Sequence, residues 1–133
     1  MYQSEKMYRS LLILLSVFIP IRSFRIGSFN LKQFGATKGN NEWVKMITAK
    51  ILRDFEIAVM QEFSGVGIEG PTALAGQLAS VSNNSYVWWW SEALGRSSSK
   101  EKYAFAYRNS ASGVKILHAN EYEDTLGIFE RPP

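Results

Sequence analysis

The sequence predicts an α/β fold with a mixed sheet, and three observations carry that reading. Short apolar runs at residues 24–30 and 57–60 have the length of strands. The stretch between them, residues 40–55, has helical periodicity, which gives strand, helix, strand. From Tyr86 onward the apolar pattern changes to period two, as antiparallel strands require. That order of elements is α/β with a mixed sheet.

The first run ends in Ser28-Phe29-Asn30 and the second in Gln61-Glu62. Two buried strands in a sheet covered on both faces would thus place a carboxamide and a carboxylate at the sheet rim. For the helix between them, Asn40 or Asn41 can cap, Glu42 lies in the first turn, and Lys50 and Arg53 lie near the end. Val44, Ile47, Ile51, Leu52 and Phe55 form its apolar stripe. A second helix starts at Pro71 and presents Leu74, Leu78 and Val81 on one face, with Gly76 interrupting it. Tyr86, Trp88 and Trp90 then alternate with Val87 and Trp89, and Tyr103, Phe105 and Tyr107 with Ala104 and Ala106, while Val114 and Ile116 suggest a third strand. The three consecutive tryptophans must divide between the two faces of their strand. Turns are expected at 95–99 and 109–113, and residues 128–133 read as the start of another strand, which would leave an unpaired edge.

At 133 residues and 46% hydrophobic content, the chain suits one domain and is no disordered tail. Lys6 and Arg9 precede a nine-residue apolar core at 11–19, then Pro20 and Ser23. Such a core is far short of the roughly 20 residues that span a bilayer, and it suits a signal peptide over 1–23, with a retained amphipathic anchor as the alternative. Without that leader the charge falls from +3 to +1, 12 basic against 11 acidic residues, so net charge makes no case for a nucleic-acid partner. Cysteine is absent, which excludes a disulfide within this chain. Asn83-Asn84-Ser85 is an N-glycosylation sequon, with Asn83 the acceptor.

Glu62 is either a hard-cation ligand or a capped, paired strand-end acid; Asn30 is either a phosphate or metal contact or a turn former. Arg96, Lys100 and Lys102 with Ser97 to Ser99 could follow a phosphate backbone or form a solvated hairpin. Glu101 could orient an imidazole or be a surface charge. His118 is the one histidine, with no second at metal or triad spacing, and Glu121, Glu123 and Asp124 read as a solvated acidic turn.

Taken in order, several blocks resemble the deoxyribonuclease I family within the endonuclease/exonuclease/phosphatase superfamily. They are Phe24-Arg25-Ile26-Gly27-Ser28-Phe29-Asn30 with Phe34-Gly35, then Gln61-Glu62, Ser91-Glu92-Ala93-Leu94-Gly95-Arg96, Lys100-Glu101-Lys102-Tyr103-Ala104-Phe105, and Phe129-Glu130-Arg131-Pro132-Pro133. The resemblance runs from Phe24 to the end and implies the N-terminal half of a four-layer α/β/β/α sandwich, a deoxyribonuclease-like domain over 24–133. It also implies secretion, no membrane association once the leader is removed, DNA as partner, and hydrolysis of DNA phosphodiesters with Mg2+ and Ca2+. By position, Glu62 and Asn30 resemble the metal-site residues, Glu101 the acid that orients a general-acid histidine, and Arg96 and Arg131 the phosphate-contacting arginines. Ser64 and Ser99 stand where pancreatic members have a groove-reading arginine and a sugar-stacking tyrosine, and Trp89 and Trp90 replace actin-contacting valines, which argues against actin binding. The family's histidines and remaining metal ligands would lie beyond Pro133. The expectation is therefore a partial product inactive alone, with a non-catalytic truncated isoform or decoy that binds DNA as the alternative. A lipid or small-phosphoester phosphodiesterase fits less well with Leu94-Gly95-Arg96 and Lys100-Glu101-Lys102-Tyr103.

Overall fold

A computed structural model describes residues 24–83, 85–109 and 114–133; the leader expected over 1–23, Asn84, and nearly all of the 109–113 turn lie outside the described residues. Strands β1 (Ile26–Asn30), β2 (Ile57–Ser64), β3 (Tyr86–Trp90) and β4 (Glu101–Arg108) form one sheet in the order β1-β2-β4-β3. β1 runs parallel to β2, with Ile26 opposite Ile57 and Asn30 opposite Gln61, and the other two pairings are antiparallel. The mixed α/β fold is the one expected from the sequence.

The helices are α1 (Ala36–Gly39), α2 (Glu42–Leu52) and α3 (Glu69–Val81). Asn41, not Asn40, caps α2, its side chain accepting from the Val44 amide at 3.1 Å. α2 buries Thr48, Ala49 and Leu52, so the expected stripe is rotated: Ile47 and Ile51 are 56% and 39% exposed, and Trp43 is exposed beside them. Close backbone approach occurs where the segment from Gly35 to Gly39 meets the start of α3. A Cβ on Gly70 of α3 would lie 2.8 Å from the Gly35 carbonyl oxygen, and one on Gly39 of α1 would lie 2.9 Å from Gly70 Cα. α3 starts two residues before Pro71 and runs unbroken through Gly76 to Val81, since the Leu74 and Leu78 burial on its inner face outweighs the roughly 1 kcal/mol that a glycine costs in a helix. α1 is a single turn, too short to leave a periodic signal.

Ala58, Met60 and Phe63 of β2 and Ala104 and Ala106 of β4 join Leu52, Leu74, Leu78, Leu31 and Phe34 in the core. The step from 58 and 60 to 63 breaks the period of two. Gln61 and Glu62 together oppose the single residue Tyr103, a β-bulge between the Met60–Ala104 and Phe63–Lys102 pairs. Without the extra residue, position 62 would face the core and Phe63 would face away from it.

Trp88 and Trp90 stack at 4.8 Å on the helix side, while Trp89 lies on the other face against Phe105 at 5.4 Å, as the alternation requires. Three expectations are corrected. β1 is an edge strand rather than a buried one, with Ile26 63% exposed. The helices cover only one face of the sheet; on the other, Asn120, Glu121 and Pro133 line an open pocket of about 240 Å³ with Val59, Trp89 and Phe105. Residues 114–116 and 128–133 form no strand; the segment 121–131 is held by side-chain contacts to the loop before β4 rather than by a ladder. Among the described residues no helix is long and apolar enough to cross a membrane.

Candidate functional site

β1 and β2 are parallel, and β4 runs against both β2 and β3. The ends of β1, β2 and β3 and the start of β4 therefore meet at one end of the sheet. This brings together Asn30, Glu62, Glu101 and the loop that carries Arg96.

The bulge turns Glu62 out of the apolar layer and toward the end of β1. Asn30 Nδ2 donates to Glu62 Oε1 at 2.6 Å, and the Gln33 amide donates to Oε2 at 3.2 Å. The Lys32 amide donates to Asn30 Oδ1 at 2.8 Å. Lys32, Gln33 and Glu62 have φ of 50°, 59° and 62°, and they are the only non-glycine residues with positive φ among those described. Each left-handed residue costs about 1–2 kcal/mol. Such strain persists only where the surroundings over-determine it, and all of it here surrounds one carboxylate.

This donor set is oxygen-only. Each engaged oxygen of Glu62 and Asn30 keeps a lone pair. That fits a magnesium ion, which takes one or two carboxylates and completes its shell with water and phosphate oxygens. Among the described residues no group of three His, Cys, Asp or Glu is placed to hold a metal by itself.

Glu101, 12% exposed, contacts no histidine and pairs with Arg131, whose Nε lies 3.1 Å from Oε2. This is a charge contact rather than an aligned hydrogen bond, since Arg131 Nε has no acceptor in line, while Nη2 donates to the Ser99 carbonyl at 3.1 Å. The two expected phosphate-binding arginines thus each sit beside an internal acid: Arg96 Nη2 lies 3.4 Å from Asp124 Oδ2. His118 is exposed, with Nε2 2.8 Å from Asn120 Nδ2. Asn83 is exposed just after α3, as an acceptor asparagine must be.

The expected solvated acidic turn is instead a strap. Glu121 accepts from the Glu92 amide at 2.7 Å, Glu130 from the Arg96 amide at 3.3 Å, and Asp124, 8% exposed, from the Ile128 and Phe129 amides at 2.8 Å each. Burial pushes the Asp124 carboxyl up, but those two amides and the Arg96 guanidinium outweigh it and hold the group below its ordinary 3.8. A depressed folded pKa means a contribution present in full above the unfolded value and lost as pH falls through the folded one. Protection of the Ile128 and Phe129 amides, measured against their intrinsic exchange at each pH, should therefore fall as pH drops below 3.8, and Asp124→Ala should show the lowered protection already at neutral pH. Unchanged protection in that variant would contradict the strap.

Lys32, Gln33 and Lys38 escaped the sequence reading because they act through backbone groups or on them. The slip from Ala58 and Met60 to Phe63 was a legible sign of the bulge.

No family model matches the chain. It is 36% identical over 111 residues to Deoxyribonuclease-1-like 2 of Homo sapiens, covering 84% of this chain and 36% of that protein. It is 33% identical over 135 residues to Deoxyribonuclease-1 of Gallus gallus, 96% of this chain and 47% of the relative, and 35% identical over 115 residues to Deoxyribonuclease-1 of Mus musculus, 86% and 40%. The chain spans less than half the length of these curated relatives.

Proposed function

We propose, from the premise that this chain is a relative of the deoxyribonuclease I family, that it supplies part of a divalent-metal site for hydrolysing DNA phosphodiester bonds. The observation that supports this reading best is the concentration of left-handed, non-glycine backbone at Lys32, Gln33 and Glu62 around one carboxylate. Glu62 and Asn30 would hold Mg2+, with Ca2+ as a second candidate ion. Bound there, a divalent ion would polarise a phosphoryl oxygen and offset the charge that develops on it. Asn30 orients the Glu62 carboxylate through its carboxamide and leaves an oxygen for the same ligand. Glu101 would orient a general-acid imidazole, and Arg96 and Arg131 would take phosphate oxygens on leaving Asp124 and Glu101.

On this reading residues 24–133 belong to the deoxyribonuclease-like domain, residues 1–23 direct export, Asn83 takes glycan in the secretory path, and actin is not a partner. The chain alone lacks the groups for turnover: its single histidine, His118, contacts Asn120 rather than Glu101. A second reading, a non-catalytic DNA-binding product, is favoured by one observation, the Glu101–Arg131 contact that occupies both groups.

A chimera decides between them. Residues 24–133 should replace the aligned segment of Deoxyribonuclease-1 of Gallus gallus, and supercoiled plasmid should be the substrate. Mg2+-dependent nicking by the chimera, with none by the chain alone, is the expected result. A folded chimera that retains DNA but does not nick it would favour the second reading.

A further inference from the structure

We infer that Lys38 is a positioning residue for the Glu62 carboxylate, acting through the left-handed turn at Lys32 and Gln33. The inference rests on the reading of Glu62 and Asn30 as metal-site residues and adds a residue with no direct contact to either. Lys38 lies on α1, half-buried, and its ammonium donates to the Leu31 carbonyl at 3.1 Å and to the Lys32 carbonyl. An ammonium has three donors, so one side chain can gather both carbonyls.

The consequence follows from the planarity of the peptide unit. In a trans peptide the C=O of one residue and the N–H of the next point in opposite directions. Drawing the Leu31 and Lys32 carbonyls to one side therefore aims the Lys32 and Gln33 amides to the other. Those two amides are the donors to Asn30 Oδ1 and Glu62 Oε2. Consecutive left-handed residues with side chains are unfavourable in isolation. The turn needs a partner that favours it over an extended path, and Lys38 supplies the contacts on the side away from the carboxylate. It thus orients Glu62 through two peptide planes.

The test uses the full chain and Mn2+ as the probe ion. Lys38→Met should raise amide exchange at Lys32 and Gln33 and leave the Ala104 and Ala106 amides unchanged. Loss of such an outer partner weakens metal binding by about 10- to 100-fold, and Mn2+ affinity should fall by that factor. Glycine adopts positive φ without strain. Adding Lys32→Gly and Gln33→Gly to the Lys38→Met chain should therefore restore most of the affinity without the ammonium. Lys38→Gln, which keeps a neutral donor, should show the same pattern in smaller measure and replaces Lys38→Met where the latter does not fold. Protection at Lys32 and Gln33 that survives the loss of Lys38 would overturn the inference, as would affinity that the glycines leave unrestored. Should the unaltered chain bind no Mn2+, the metal reading of Glu62 falls, and the exchange pattern still decides the positioning role.

Discussion

Glu62→Ala should lower the Mg2+-dependent nicking of the chimera by about 100-fold or more, the scale expected when a metal-positioning carboxylate is removed. The change deletes the only carboxylate that Asn30 and the Gln33 amide both address. It leaves the Cβ and the bulge in place, so the folded population should change little. Glu62→Gln should lose nearly as much, because the size is kept and the charge is not, and raising Mg2+ should recover part of the rate. Near-normal nicking by Glu62→Ala with an unaltered Mg2+ dependence would place the metal elsewhere and remove this glutamate from the proposal. Asn30→Ala should show a smaller loss, since its carboxamide orients a ligand and supplies only a neutral oxygen.

The second large effect is on stability. Phe63 is fully buried, its ring edge-on to Phe34 at 5.7 Å and to Trp90 at 5.3 Å. Truncating a buried phenylalanine to alanine costs about 3–5 kcal/mol through lost burial and the cavity left behind. Domains of this size have total stabilities of about 5–15 kcal/mol, so Phe63→Ala should unfold a large part of the chain near 37 °C. Urea titration followed by tryptophan fluorescence measures it, and a loss under about 1 kcal/mol would mean that the core is not organised around this ring. The Phe34 amide donates to the Glu62 carbonyl at 2.8 Å, so the same substitution should loosen the loop that carries Lys32 and Gln33. Phe63→Leu, which keeps most of the volume, should cost less than half as much.

The sequence made the strands and long helices legible because each repeats its signal several times: period two in β3 and β4, helical spacing in α2 and α3. It misled on the buried face of α2 because hydrophobicity alone does not report which side must approach closely. Thr48 and Ala49 turn inward with Leu52, and Ile47 and Ile51 remain outside. Asn30 was legible as a polar residue at a strand end, and Glu62 as one that follows an apolar run, although β2 continues past it to Ser64. Their mutual hydrogen bond was not, since pairing across 32 positions depends on sheet register. The strap was missed for a related reason: Glu121 and Asp124 look solvated in sequence, but the return of the chain gives Glu121 the Glu92 amide, and Asp124 adds the Arg96 guanidinium to the Ile128 and Phe129 amides four and five residues on. Lys38 carried no sequence signal, because what it recognises is two main-chain carbonyls.

The bulge at Gln61 and Glu62 acts as a phase switch in the strand, and this constrains how the gene can change. Upstream of it, even-numbered positions of β2 face the helices; beyond it, Phe63 does. Deleting either bulge residue would merge the two phases. With Gln61 gone, Glu62 would take the single outward place opposite Tyr103, without the bulge that turns it toward Asn30; with Glu62 gone, Gln61 would take that place. Point substitutions can drift at both sites while the fold survives, whereas a lost codon keeps Met60 and Phe63 on the helix side but removes either the bulge that sets the acid or the acid itself. The length of this strand should therefore be far more resistant to change than its composition, and length variation among descendants of this sequence should fall in the loops instead.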